Sequence, residues 1–288
     1  MAEEPEKTQA PAQAAPLLGL ADLFAGDGRV KGTSLFLGRY SLTEVMALLG
    51  RKNFFRAAKK RNLWPLEFDV DSSEYPLQRF RIFNRSANPD NLIVDLKIRE
   101  GLFQVKNPLT LGLSSREHKV LVFEWLTLQN PLLKFGPTRV PLPGQAHPGL
   151  GMGRKIMDLF IYLARLTRQD GLLAFPAFFH NALLFSRSFT FVNPDKAGEV
   201  DALQHALRGI PVKMQAWIVH GGCLRDRSGR PYEWRAEEQV CPLSRSLRRH
   251  FASRLYRVKR RLSRSRHKYI VDWECFRAKA ADVPGLLP

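Results

Sequence analysis

The chain has few cysteines and no long apolar run. Its 288 residues include only three cysteines, Cys223, Cys241 and Cys275, which are far apart and odd in number. We therefore expect neither a disulfide framework nor a CxxC metal site, and we expect a reducing cytoplasm as the compartment. No stretch is long and apolar enough to span a bilayer, and the acidic N-terminus lacks a signal-peptide pattern, so a transmembrane or exported protein is not expected.

Two common kinds of ligand site are also missing. The seven histidines include no HExxH motif and no pair at i, i+4, so no metal cofactor is predicted. The glycine-rich stretch GLGMG does not fit GxGxxG, and no GK[ST] follows it, which argues against dinucleotide and Walker-type nucleotide sites. With 44% hydrophobic residues the chain has ample material for a buried core.

Acidic residues are absent between Gln239 and Val271, where eleven Lys or Arg account for most of the net charge of +18. Within this segment, apolar residues recur at helical spacing: Leu243, Leu247, Phe251, Leu255, Val258 and Leu262. We predict a basic helix that packs this stripe on the domain and offers residues 243–268 to nucleic acid, an acidic partner or an anionic membrane. A basic face that is merely solvated is the alternative. No signature of a sequence-specific nucleic-acid-binding module accompanies it.

The composition divides the chain into three parts. Residues 1–16, rich in Ala, Pro, Gln and Glu, are predicted to form a disordered tail. Residues 17–225 are predicted to form the main domain, and residues 226–288 a basic C-terminal extension that packs on it.

Local patterns predict a mixed α/β sheet. Ser41 and Glu44 have the spacing of a capping box at a helix start. Runs 80–84, 92–100 and 119–129 are predicted as neighbouring antiparallel strands. A helix after Gly153 followed by the strand LLAFP completes a crossover that makes its two strands parallel. The run KMQAWIVHGGCL is interpreted as another strand.

The stretch HPGLGMGR, residues 147–154, lies at the start of that crossover helix. Glycines allow the backbone to approach a ligand closely, and the unpaired N–H groups of a first helical turn lie at the positive end of the helix dipole. This arrangement is typical of a phosphate site. A tight entry into the helix, without any ligand, is the alternative.

Three stretches together resemble the core of the GNAT N-acetyltransferase superfamily: VLVFEWLTLQNP, GLGMGRKIMDLFIYLARLTRQDGLLAFP and HNALLFSRSFTFV. The resemblance covers roughly residues 119–192. It implies a central sheet whose two parallel strands splay apart, flanked by helices, with a pyrophosphate-binding loop between the first of these strands and its helix. The co-substrate it implies is acetyl-CoA or another acyl-CoA, and the acceptor is an amine of unknown class.

The resemblance also assigns binding residues. The apolar register of the helix matches Gly151 and Gly153 to the motif glycines, which puts Pro148 where the family usually has Arg or Gln. Backbone groups of the loop would hold the pyrophosphate, and those of the preceding strand the pantetheine arm. The implied cofactor-binding residues are Leu126, Thr127, Leu128, Gly149, Gly151, Met152, Gly153, Arg154 and Asn181.

The implied catalytic residues depart from the family pattern. Glu124 lies in the strand where many members carry a carboxylate base, although an ion pair with a basic residue is the alternative. Ser186 occupies the position of the usual tyrosine acid, and its hydroxyl is a far weaker acid than a phenol. His180 is a substitute candidate. We therefore predict an acyl-CoA-dependent N-acyltransferase, or alternatively a weak or inactive GNAT-fold binding module whose basic helix binds nucleic acid or an acidic partner.

Overall fold

A computed structural model describes residues 24–25, 29–30, 35–105, 116–283 and 285–287. The predicted disordered tail, residues 1–16, lies outside the described residues. The helices are α1 (Leu42–Arg51), α2 (Phe54–Lys59), α3 (Gly153–Leu166), α4 (Phe179–Phe185), α5 (Pro194–Ala206), α6 (Val212–His220), α7 (Arg245–Phe251), α8 (Arg254–Arg266) and α9 (Trp273–Ala280). The strands are β1 (Phe24–Ala25), β2 (Arg29–Val30), β3 (Leu66–Asp71), β4 (Gln78–Asn84), β5 (Leu92–Phe103), β6 (His118–Leu128), β7 (Gly171–Ala174), β8 (Thr190–Phe191), β9 (Leu224–Arg225), β10 (Gln239–Pro242) and β11 (Ile270–Val271).

A seven-stranded mixed sheet in the order β3-β4-β5-β6-β7-β10-β8 forms the centre of the fold. Strands β6 and β7 pair in parallel, and every other pair in this sheet is antiparallel. The prediction of a mixed α/β sheet flanked by helices is thus confirmed. So is the parallel crossover, because α3 connects β6 to β7 over one face of the sheet.

The capping box at the start of α1 forms as predicted. Ser41 Oγ accepts the N–H of Glu44, whose carboxylate accepts the N–H of Ser41 at 2.8 Å. Helices α1, α2 and α3 cover one face of the sheet. Their buried side chains, such as Leu49, Phe54 and Phe160, form a single core with the apolar residues of β4, β5 and β6. This core holds the start of α3 beside the end of α2.

The prediction of a strand for the run KMQAWIVHGGCL is wrong, because the run forms α6. Its apolar residues Met214, Trp217 and Ile218 follow the i, i+3, i+4 spacing of one helical face, and they pack in a second core with α4, α5 and α9. The low cysteine content predicts no disulfide framework, yet Cys223 and Cys275 form a single disulfide across a separation of 52 residues. An odd number of cysteines excludes complete pairing but not a single pair.

The C-terminal residues do more than pack on the sheet. Strand β10 lies between β7 and β8, so residues beyond the predicted boundary at 225 belong to the central sheet. The basic segment forms two helices, α7 and α8, and Ser253 caps the second one by accepting the N–H of Tyr256. Leu243 and Leu247 are buried as predicted. Leu255, Val258 and Leu262 are exposed, contrary to the prediction that the whole stripe packs on the domain.

Among the described residues, no helix is both long enough and apolar enough to cross a membrane.

Candidate functional site

The two parallel strands of the central sheet pair over only part of the length of β6. Register partners run from Val120 opposite Gly171 to Phe123 opposite Ala174, where β7 ends. Strand β6 continues to Leu128 and stays paired with β5 on its other side. The register with β5 shifts at Glu124, which faces no partner because Lys97 pairs with Trp125 and Ile98 with Phe123. Such a bulge bends a strand. We call residues 124–128 the open edge of β6.

The open edge presents backbone groups away from β5. Leu128 O accepts the N–H of Leu150 on this side at 3.2 Å, whereas Gln129 N donates to Ile93 O on the other side. Because backbone groups alternate in direction along a strand, the amide and carbonyl of Leu126 point to the same side as those of Leu128. An extended ligand lying along this edge would find the same hydrogen-bonding groups that a neighbouring strand uses.

The glycine loop, residues 149–153, begins at the far end of the open edge. An isolated bridge pairs Gly149 with Gln129, and Gly151 has a φ of 69°, a conformation that glycine adopts without strain. Gly151, Gly153 and Arg154 are exposed. The N–H groups of residues 151–155 donate to no acceptor within the described residues. The loop therefore directs unpaired donors outward at the positive end of a 14-residue helix.

A basic cleft of about 310 Å³ adjoins this helix start. It is bounded by four cations and two neutral residues, namely Arg56, Lys60, Arg61, Lys155, Asn53 and Ala57. No carboxylate of the described residues lines the cleft, so an anion there meets the positive charge of this lining and the amides of the adjacent helix turn.

Arg61 connects the basic cleft to the glycine loop. Its Nε donates to Leu150 O at 3.0 Å, and one terminal nitrogen donates to Ala57 O at 2.9 Å. The other terminal nitrogen lies 3.5 Å from the place where a side chain at Gly151 would begin. This guanidinium therefore both fixes the loop and leaves a positive group beside its exposed glycine.

Gln145, three residues before Pro148, supports the loop from the other side. Its Oε1 accepts the N–H of Leu142 at 3.1 Å, and its Nε2 lies 4.0 Å from the place where a side chain at Gly149 would begin. Pro148 contributes through its carbonyl, which accepts the N–H of Asn130 at 2.8 Å.

Glu124 is partly exposed although its strand is otherwise apolar. Its side chain is 36% exposed, and its Oε1 accepts a hydrogen bond from Arg99 Nε at 2.8 Å. The bulge turns the carboxylate outward beside the open edge, so the ion pair with a basic residue, the alternative considered from the sequence, is what forms.

His180 lies in the first turn of α4 and is almost fully buried. Its ring stacks on Phe178 with centroids 5.5 Å apart, and its Nδ1 has no hydrogen-bond partner among the described residues. Burial, with a smaller contribution from the nearby His220, lowers the pKa of His180 to about 4. The imidazole is therefore neutral at pH 7.

The buried histidine predicts a loss of stability on acidification. The unfolded chain takes up the proton near pH 6.5 and the folded chain only near pH 4, so this contribution to stability is complete above about pH 7 and is lost as the pH falls. Between pH 7 and pH 5 we expect His180→Phe to remove about 2 kcal/mol of the pH dependence of unfolding.

Urea titrations at both pH values measure this difference. The control is His205→Phe, at the exposed end of α5, which should keep the full dependence of the unaltered protein. Equal dependence in the two variants would contradict the assignment.

Ser186 and Asn181 lie on the same short helix as His180. Ser186 is exposed at the C-terminal cap of α4, and its Oγ donates to Leu183 O at 2.7 Å. The side chain of Asn181 is half-buried and makes no hydrogen bond to another described residue. Within the described chain, no hydrogen bond or ion pair joins Glu124, His180 and Ser186 to one another.

The cations in α2 and directly after it were not predicted as site residues from the sequence. Arg56, Lys60 and Arg61 belong to the run RAAKKRN. Its cluster of positive charges near the end of a helix is the feature of the sequence that could have indicated an anion site. What the sequence does not indicate is that this helix end lies against a loop about ninety residues further along the chain.

No group of three or more potential metal ligands is present in the described part of the chain. No protein family, no curated protein and no solved structure matches this chain.

Proposed function

We propose that this protein binds an acyl-CoA and transfers its acyl group to an amine, as its resemblance to the GNAT superfamily implies. The observation that carries the proposal is the position of the exposed glycine loop, with unpaired amides from Gly151 to Lys155, at the end of the open edge of β6. In this proposal the sheet is GNAT-like, and the parting of β6 from β7 is the cleft for the co-substrate.

The successive parts of an acyl-CoA match the groups that lie along the glycine loop and the open edge of β6. Its diphosphate needs several donors and positive charge, which the amides of the loop, Arg154 and the basic cleft supply. Its pantetheine arm carries two amides, which match the outward backbone groups of Leu126 and the amide N–H of Leu128; the carbonyl of Leu128 already accepts the N–H of Leu150. The thioester then lies toward Glu124, where the two strands begin to part.

Transfer requires a deprotonated amine that attacks the thioester carbonyl. The new C–N bond forms as the C–S bond breaks, the ammonium proton goes to a base, and the thiolate takes a proton. Glu124 is the proposed base, because its exposed carboxylate can accept a proton through water. Ser186, which the resemblance implies as the proton donor, is too weak an acid to replace a phenol. The proposed compartment is the cytoplasm, although a disulfide such as Cys223–Cys275 is rare there.

A second candidate is a binding module of the same fold with little or no turnover. Two contacts favour it: Glu124 already pairs with Arg99, and Ser186 already donates to Leu183. Both candidates share the acyl-CoA site. They differ in whether the bound thioester reacts and in whether the basic C-terminal helix binds a nucleic acid or an acidic partner.

Calorimetry with CoA, acetyl-CoA and pantetheine tests the shared site. We expect both CoA species to bind and pantetheine, which lacks the phosphates, not to bind detectably. If pantetheine binds as tightly as CoA, or if none of the three binds, the proposed site is wrong.

Release of CoA in the presence of pooled amines separates the two candidates. If turnover occurs, Glu124→Gln should lower kcat about 10-fold or more while CoA affinity changes less than about twofold, because a general base contributes to proton transfer and not to diphosphate binding. The matched control is Glu274→Gln, an exposed carboxylate on α9, which should change neither quantity. Binding without CoA release from any amine would favour the binding module.

A further inference from the structure

Helix α8 is held on the domain by one face only. Tyr256 and Ser263 are its buried residues, and Arg260 lies between them on the same side. Tyr256 Oη donates to Phe191 O at 2.5 Å, Ser263 Oγ donates to Asp195 O at 2.6 Å, and Arg260 forms a bidentate ion pair with Asp201. The rest of the helix faces solvent.

The solvent side of α8 carries an apolar stripe. Leu255, Val258 and Leu262 are 56%, 44% and 51% exposed, and their spacing of three and four residues places them in one row along the helix. Leaving three aliphatic side chains in water on a well-anchored helix is unfavourable unless the row meets an apolar partner.

Positive charge borders this row on both sides. At 100° per residue, Lys259 and Arg266 lie along one border and Arg254 and Arg261 along the other. These four cations are exposed, and none forms an ion pair with a described acidic residue. We call the row and its four cations the outer face of α8.

We propose that the outer face of α8 docks on an anionic lipid bilayer. The three aliphatic side chains enter the boundary between headgroups and acyl chains, and the cations on both borders bind lipid phosphates and carboxylates. Low mean hydropathy, one narrow apolar row and cations on either side are the properties of helices that lie in the membrane surface.

The charge of the outer face of α8 argues against two other binding partners. A second copy of the chain would bring four cations against four, which repel each other. A nucleic acid needs cations at the centre of the contact, whereas here the centre is aliphatic and the cations lie at its borders.

Flotation with vesicles tests the inference. We expect the full-length protein to bind vesicles of phosphatidylcholine mixed with phosphatidylserine at least about tenfold more tightly than vesicles of phosphatidylcholine alone, with binding reduced by added salt. Absence of binding to the anionic vesicles at low salt would overturn the proposal without any variant.

Two triple variants distinguish insertion from charge alone. The first variant replaces the three residues of the apolar row with glutamine (Leu255→Gln, Val258→Gln and Leu262→Gln) and keeps every cation and the buried face of α8. We expect this stripe variant to bind vesicles at least about tenfold more weakly. The control exchanges three other exposed leucines (Leu102→Gln, Leu132→Gln and Leu184→Gln) and should bind vesicles as the unaltered protein does.

Duplex DNA is the competing ligand in the same assay. The proposal predicts that the stripe variant keeps whatever DNA affinity the protein has, because that affinity depends on charge. If the stripe variant binds vesicles as well as the control does, or if DNA displaces the protein from vesicles at equal charge, the face is a general polyanion surface and the proposal is wrong.

Discussion

Gly153→Glu should weaken CoA binding by about 100-fold or more. A side chain at this position points into open space, so the variant can fold, and a carboxylate in a first helical turn is itself favoured by the helix dipole. It would occupy the position of the diphosphate and repel both of its charges, each at a cost of about 3 kcal/mol for a separation of about 5 Å near a protein surface.

Two controls accompany Gly153→Glu. Gly153→Ala adds only a methyl group in open space and should keep CoA affinity within about threefold. Gly136→Glu makes the same change of charge at another glycine with open space around it and should leave binding unchanged. If Gly153→Glu binds CoA like either control, the diphosphate does not lie at the start of α3.

Gly198→Ala should destabilise the fold by about 3 kcal/mol, although alanine is the better helix former. Gly198 lies in α5 at its closest approach to α8. An added methyl group would lie 2.6 Å from Ser263 Cβ and 2.7 Å from Arg264 N, and the second of these is backbone that cannot rotate away. The methyl group must therefore push α8 off α5 and strain the ion pair between Arg260 and Asp201.

Urea unfolding measures this loss, with Gly153→Ala as the matched control. Both positions are helical glycines, but only Gly198 has another helix against it. We expect the control to be as stable as the unaltered protein or slightly more stable. Equal stability of the two variants would show that α8 is not packed at Gly198 as described.

What the sequence predicts well depends on residues close to one another. The capping box of Ser41 and Glu44 and the strands at 80–84, 92–100 and 119–129 are local patterns, and all of them form. The parallel pairing of β6 with β7 also follows, because a strand, a helix and a strand in succession have one usual handedness and arrangement.

The predictions that are wrong concern features that depend on contacts between residues far apart in the chain. Apolar spacing in residues 243–262 predicts one helix, whereas the segment forms two, α7 and α8. Which apolar residues are buried depends on α5, whose Asp201 pairs with Arg260 on the inner side of α8 while Leu255 stays exposed. The pairing of Cys223 with Cys275 depends in the same way on the return of α9 beside β9.

The same distinction between local patterns and distant contacts applies to the candidate site. The glycine loop is visible in the sequence because its backbone requirement is local. The basic cleft is not, because Arg61 and Lys155 meet only through the packing of α2 against the start of α3. Glu124 was found by resemblance, but its partner Arg99 and the bulge that exposes it come from the register between β5 and β6.

The amide resonances of the glycine loop give the most direct measurement. In a titration of the ¹⁵N-labelled protein with CoA, the account predicts that the largest chemical-shift changes fall on Gly151, Met152, Gly153 and Arg154, with smaller changes at Leu126 and Leu128. If CoA binds and the largest changes fall elsewhere, for example on α8, or if saturating CoA moves no amide in the loop, the diphosphate site proposed here does not exist.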